Sequence, residues 1–220
     1  AIANGVPESV ANSIYDEILD FASYAFNKAH AVSYAIVAYR TAYMKRHYPQ
    51  QYMAALLTSV LESSTKVAEY IAECRELGIK LLPPDVNESD ANFTVAGENI
   101  RFGLVAIKGI GWGAIEELVA ERHENGLFTS FEDFCKRMSG KELNRRAVEN
   151  LIRAGAFDGM GYKRKALLQI AGAVIDSISQ AARDNIAGQY DLFGDFEAQS
   201  EASPQTIPMP DVEEFSARDK

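Results

Sequence analysis

Residues 99–122, NIRFGLVAIKGIGWGAIEELVAER, constrain the fold more than any other stretch, and they divide at Gly109-Ile110-Gly111. Ahead of the glycines runs an apolar segment: Ile100, Phe102, Leu104, Val105 and Ile107. Behind them, Ile115, Leu118 and Val119 recur at the spacing of an amphipathic helix, with Glu116, Glu117, Glu121 and Arg122 expected to face outward. Two glycines flanking one apolar residue let the backbone turn through positive φ and let another surface come close. The helix that follows opens with N–H groups that have no partner within it, an arrangement suited to a phosphate.

Two readings of this segment stay open on its residues alone. One is a helix-hairpin-helix, a motif that grips the DNA backbone without regard to sequence, with Lys108 as its leading cation. The other is a plain connection in which glycine only turns the chain. Net charge bears on the choice. The whole chain carries −9, which disfavours a nucleic-acid binder, but the charge is unevenly placed. Residues 1–100 hold 7 Lys/Arg against 12 Asp/Glu and residues 181–220 hold 3 against 9, whereas residues 101–165 hold 12 against 9. The Gly-x-Gly turn therefore sits in the net-basic part, and phosphate contact depends on local cations.

Helical periodicity predicts helices over 8–25, with Val10, Ile14, Ile18, Phe21 and Ala22 as the apolar stripe, and over 31–47, apolar almost all round and so expected to be a buried central helix. Two more follow over 50–61 and 64–77, the latter closed by Gly78. After Gly78 the pattern shifts to short strands over 79–82, 93–95 and 100–102, with a turn at Gly97. Further helices are expected over 130–138, 144–154 and 162–183, and Gly159/Gly161 echo Gly109/Gly111 without the same apolar spacing. From residue 185, prolines, acids and few aliphatics predict a disordered acidic tail. The expected class is mainly α: helical segment 1–80, a helix-hairpin-helix module with a small β element over 81–184, and a linker over 185–220. No apolar run reaches the roughly 18 residues of a membrane span, so no membrane partner is expected. The opening residues enter as if in mid-architecture, which reads as a fragment of a longer protein. Cys74 and Cys135 lie in no metal or disulfide pattern and read as buried thiols of a cytoplasmic protein.

Two further clusters stand out. FNKAHAVSY, residues 26–34, gathers Asn27, Lys28 and His30 at the mouth of a helix that carries Arg40 farther along. Lys28 with the helix N-terminus could hold a triphosphate, or these residues could simply cap the helix. QYDLF, residues 189–193, has the form of a linear anchor peptide: a glutamine for a pocket rim, then Leu and Phe to fill the pocket. No clustered carboxylates for Mg²⁺, no nucleophile elbow and no phosphate-binding Walker loop are present. By its residues alone the chain binds. A hairpin module of a repair protein and a helical protein-interaction scaffold remain alternatives.

Three blocks (FNKAHAVSYAIVAYRTAYMKRHYPQQYMAALLTSV, PPDVNESDANFTVAGENIRFGLVAIKGIG and LNRRAVENLIRAGAFD) together resemble the alpha subunit of bacterial DNA polymerase III, the C-family replicative polymerase. The likeness covers about residues 5–195, in the family's order of late fingers followed by the clamp-binding region. It implies a nucleotide- or template-proximal role for Asn27, Lys28, His30 and Arg40, and duplex-backbone contact for Lys108, Gly109, Ile110, Gly111 and Gly113. QYDLF fits the family's sliding-clamp pentapeptide, with Gln189, Leu192 and Phe193 as anchors. The palm, with its metal-binding aspartates, has no counterpart in this sequence. The resemblance therefore implies a parent that is a DNA-directed DNA polymerase using Mg²⁺, and a fragment that has no cofactor of its own and is inactive. Its implied partners are primer-template duplex, the sliding clamp and, through the missing regions, other replicase subunits.

Overall fold

The computed structural model describes residues 1–24, 28–188 and 207–216. Eight helices and a three-stranded sheet follow in order: α1 (Glu8–Tyr24), α2 (Lys28–His47), α3 (Pro49–Ser59), α4 (Ser64–Glu76), β1 (Leu81–Leu82), β2 (Thr94–Ala96), β3 (Asn99–Arg101), α5 (Trp112–Asn125), α6 (Phe131–Arg137), α7 (Arg145–Ala154) and α8 (Arg164–Gly188). The class is mainly α with a small β element. The chain forms two compact units, residues 1–49 and residues 50–220.

Local chemistry sets most element ends. Ser63, Ser130 and Asn144 cap α4, α6 and α7, each side-chain oxygen accepting the amide three residues on. Glu132 and Asp133 in the first turn of α6, with Lys136 and Arg137 in its last, complement the helix dipole. At the end of α4 the Ile79 amide donates to the Cys74 carbonyl and the Gly78 amide to that of Arg75, the paired bonds that close a helix and turn the chain away. The sheet is ordered β1-β3-β2, with β1 parallel to β3 (Leu81 opposite Ile100) and β2 antiparallel to it (Val95 opposite Ile100).

Among the described residues after 49, two apolar clusters form the core. In the first, α3 and α4 supply Met53, Ala54, Leu57 and Cys74, which meet Ile79, Phe93 and Ile100 from the strand region. In the second, α5 (Ile115, Leu118), α6 (Phe131, Phe134), α7 (Val148, Leu151, Ile152) and α8 (Leu167, Ala171) close around Phe157. Edge-on ring pairs, Phe131–Phe157 at 5.2 Å and Phe134–Phe157 at 4.9 Å, give that cluster its fixed geometry. Phe102 packs against both clusters and joins them. Cys74 and Cys135 are buried free thiols, and burial pushes the Cys135 thiol up to about 12.

Residues 1–49 correct an expectation. The helix read as a buried central one, α2, has no buried residue, and Tyr34, Val37 and Tyr39 are each more than half exposed. The stripe of α1 is likewise open, with Phe21 at 74% exposure. An all-round apolar sequence reports that a helix is made to be covered, but these two helices bring too little surface to cover each other. Rings instead pack along α2, His30 on Tyr34 at 4.4 Å and Tyr43 on His47 at 4.2 Å.

α8 continues to residue 188, past the expected end at 183. Within the C-terminal region, residues 207–216 form neither helix nor strand. They lie against the start of α8: the Glu214 carboxylate accepts the Arg164 amide at 2.9 Å and the Lys165 amide at 3.3 Å, Asp211 pairs with Lys163, and Ile207 joins the second apolar cluster.

Candidate nucleic-acid interface

The hairpin is built from a buried base upward. Leu104, fully buried, opens a single 3-10 turn (Leu104–Ala106). The Leu104 amide is held by the Asp90 carbonyl at 3.0 Å and the Val105 amide by that of Ala91 at 3.1 Å. Ile107 and Ile110 enter the core on either side of the turn, leaving Lys108 and Gly109 exposed between them. Gly109 has φ +80, a conformation that L side chains rarely adopt. It also lies so close to Asn150 that an added Cβ would stand 2.6 Å from that amide nitrogen. The contact has a purpose: Asn150 Nδ2, from α7, donates to the Lys108 carbonyl at 3.0 Å and fixes the turn.

Gly111 then serves as the N-cap of α5 with extended backbone, and a Cβ built there meets only open space. The Ile115 amide returns to the Gly111 carbonyl, so the amides of Trp112 and Gly113 stand at the helix mouth ahead of the first internal bond. Among the described residues no acceptor is set on either. Gly113 is half-buried, with the Glu142 carboxylate beside it. Trp112 is 45% exposed at the rim. The arrangement is an exposed turn with one cation and the positive end of a 14-residue helix, edged at Gly113 by the Glu142 carboxylate and held on a buried base.

One outward assignment is corrected. Arg122 is buried at 8% exposure rather than facing solvent. Its Nη1 donates to the carbonyls of Val86 (3.1 Å) and Ser89 (2.7 Å), and its Nη2 to Asp90 Oδ1 (2.9 Å). It thereby ties α5 to the same 86–91 loop that supports Leu104 and Val105. Its spacing carried the signal, because Arg122 lies seven residues after Ile115 and four after Leu118, on the buried stripe. Glu121 faces a different set of partners. Its carboxylate accepts from Lys141, Arg137 and Asn125, and those bonds lower its pKa to about 2.

Much of the basic surplus in residues 101–165 is thus spent internally. Arg101, Arg122, Arg137, Lys141, Arg145, Arg153, Lys163 and Arg164 each pair with an acid. Lys108 is exposed and has no such pair among the described residues.

The other expected site residues belong to the unit of residues 1–49 or lie outside the described residues. Lys28 and His30 sit exposed in the first turn of α2, and Arg40, also exposed, stands about 18 Å farther along the axis at 1.5 Å per residue. Two residues apart on a helix, Lys28 and His30 point to different faces, so the helix gathers none of the three into one site. Asn27, Gln189, Leu192 and Phe193 lie outside the described residues. Among the described residues no group of three His, Cys, Asp or Glu gathers as a metal site, and no helix is long and apolar enough to cross a membrane.

Comparison with known proteins places this geometry. A helix-hairpin-helix motif matches residues 78–167, the span that contains the turn, its supporting loop and α5 through the start of α8. DNA polymerase III subunit alpha of Mycobacterium tuberculosis (strain ATCC 25618 / H37Rv) is 44% identical over 213 residues, 96% of this chain and 18% of the relative. The Thermus aquaticus protein of that name is 48% identical over 166 residues, 76% of the chain and 14% of its own length. That of Escherichia coli (strain K12) is 41% identical over 192 residues, covering 87% and 17% respectively. The chain thus spans less than a fifth of the curated relatives it matches. With identity of this order along nearly its whole length, the chain belongs to the family of DNA polymerase III alpha subunits, as a segment of one.

Proposed function

We propose that this chain is a duplex-gripping and clamp-tethering part of a replicative DNA-directed DNA polymerase. The observation that carries the reading is the exposed turn at Lys108-Gly109 leading into the open N-terminus of α5. Lys108 meets one phosphate, while Gly111, with open space before it, leaves room for the duplex backbone to approach the Trp112 amide, and Gly113 lies at the edge of the contact beside the Glu142 carboxylate. Ile110 plugs the turn into the core. Such contacts position a protein on duplex without reading its sequence.

In the same reading, residues 1–80 belong to the fingers, with Asn27, Lys28, His30 and Arg40 near template or incoming nucleotide. Residues 81–184 form the clamp-binding domain and 185–220 its linker, in which Gln189, Leu192 and Phe193 anchor the sliding clamp. The parent extends a primer from deoxynucleoside triphosphates with Mg²⁺. The metal belongs to the parent's palm, no residue here is assigned to it, and this segment by itself is inactive.

The test is fluorescence anisotropy with unrelated duplexes at low and moderate salt. The reading expects similar affinities that fall steeply with salt, and a Lys108→Glu variant weakened equally on every duplex. A protein-interaction scaffold, favoured by the net charge, would bind the clamp and leave DNA alone. For the tether, Leu192→Ala with Phe193→Ala should abolish clamp capture; capture that survives both changes removes the anchor assignment.

A further inference from the structure

The hairpin has a second side. Two residues that approach its glycines come from the same short stretch of chain: Glu142, whose carboxylate lies beside Gly113, and Asn150, whose side-chain amide abuts Gly109 and binds the Lys108 carbonyl. Arg146 lies between them in sequence. On α7 it stands one turn before Asn150 and so shares the helix face that is turned to the hairpin. Arg146 is exposed, and among the described residues it makes no ion pair or hydrogen bond, unlike its neighbour Arg145, which is held by Glu149 at 3.2 Å. The other acids near this face are occupied or distant: Glu149 lies between Arg145 and Arg153, and Glu117 accepts the Glu142 amide at 2.7 Å.

We propose that Arg146 is a second phosphate-binding cation of the hairpin surface, contacting the duplex backbone beside the phosphodiester that Lys108 and the Trp112 amide hold, and that Asn150 is the positioning residue that keeps the turn in reach of both. The inference rests on the duplex-binding reading above and extends it to a residue on a different helix. A guanidinium suits the role, because its planar fork can bind two phosphate oxygens at once. Glu142 then sets the near edge of the surface, since a backbone phosphate seated over Gly113 would meet its carboxylate.

The experiment measures duplex affinity of the full 220-residue chain against salt for wild type, Lys108→Glu, Arg146→Gln, Arg146→Lys and Asn150→Ala. Arg146→Gln should bind about ten-fold more weakly, with a salt slope shallower by about one ion. Arg146→Lys should retain the slope. Asn150→Ala should lose affinity in the wild-type background and add little to Lys108→Glu, because it acts through the placement of the turn; a purely structural role would add in full. Arg146 is on the surface, so its variants should melt with the wild type. If Lys108→Glu weakens binding while Arg146→Gln leaves affinity and slope unchanged, the assignment of Arg146 is overturned and the hairpin reading survives. A wild-type chain that does not bind duplex at all overturns both.

Discussion

Two helices of this chain are entered through paired glycines, and they satisfy their first amides in opposite ways. α5 follows Gly109 and Gly111, and no acceptor is set on its leading amides among the described residues. α8 follows Gly159 and Gly161, and its leading amides at Arg164 and Lys165 are both taken by the Glu214 carboxylate, fifty residues away for the first of them. The physical demand is the same at both ends: unpaired N–H groups at a positive helix pole attract an anion. At α8 the chain supplies the anion itself; at α5 no hydrogen bond closes the leading amides among the described residues, and the Glu142 carboxylate stands only at the Gly113 edge. A helix pole inside a compact unit is thus a site only where the chain's own acids do not bond its leading amides. The same logic runs through the cations of residues 101–165, eight of which pair with carboxylates while, among the described residues, Lys108 and Arg146 do not.

The open entry of α5 depends most on Arg122, which holds that helix to the loop beneath the hairpin. Arg122→Ala strips donors from two buried carbonyls and from Asp90, and should lower unfolding stability by about 3 kcal/mol in urea titration. Duplex affinity should fall more than stability alone predicts, because the base of the turn loosens. Hydrogen exchange at the Arg164 and Lys165 amides should hold under native conditions. If α8 opened as readily as the hairpin, the two helix entries would not be independent structures. A smaller effect is expected at the other pole. Glu214→Ala removes a carboxylate from the α8 amides, worth about 1 kcal/mol for a capping group at a helix start. Exchange at Arg164 and Lys165 should then accelerate with the hairpin unchanged. Unaltered exchange would mean that Glu214 does not hold that pole.

What could be read from the sequence divides along similar lines. Helix starts near 130 and 144, the glycine turn and the apolar stripe of α5 were legible, because each depends on neighbours within one or two turns. Arg122 was half legible: its place on the stripe announced burial, while its charge suggested solvent. Asn150 was not, because an asparagine on a helix gives no sign of the turn it will reach 42 residues back. Glu214 read as one more acid in an acidic tail for the same reason. The reading of α2 erred in another way. Its apolar periodicity describes what the helix is made to touch, and its own unit of residues 1–49 does not provide that surface.

The smallest expected effect lies at Glu121, which keeps Arg137 and Lys141 turned toward the last turns of α5 and away from solvent phosphates. Its carboxyl titrates at about 2 in the folded chain, held down by Lys141 first and then by Arg137 and Asn125. An unfolded glutamate titrates near the ordinary value of about 4.3. The folded pKa is therefore the lower one, so the contribution is fully present above the unfolded value and disappears as pH falls through the folded value. Glu121→Gln should therefore unfold at a lower urea concentration than wild type at pH 7. The gap should begin to narrow below about pH 4.3 and close toward pH 2. The network is partly exposed, so added salt should shrink the gap at pH 7 as well. A gap that persists unchanged to pH 2 would show that the glutamate acts through packing alone. In that case Lys141 would have to be counted among the cations available to DNA, while Arg137 would stay held by Asp133 and by the carbonyls of Glu121, Gly126 and Leu127, and the contrast between the two helix poles would lose part of its electrostatic basis.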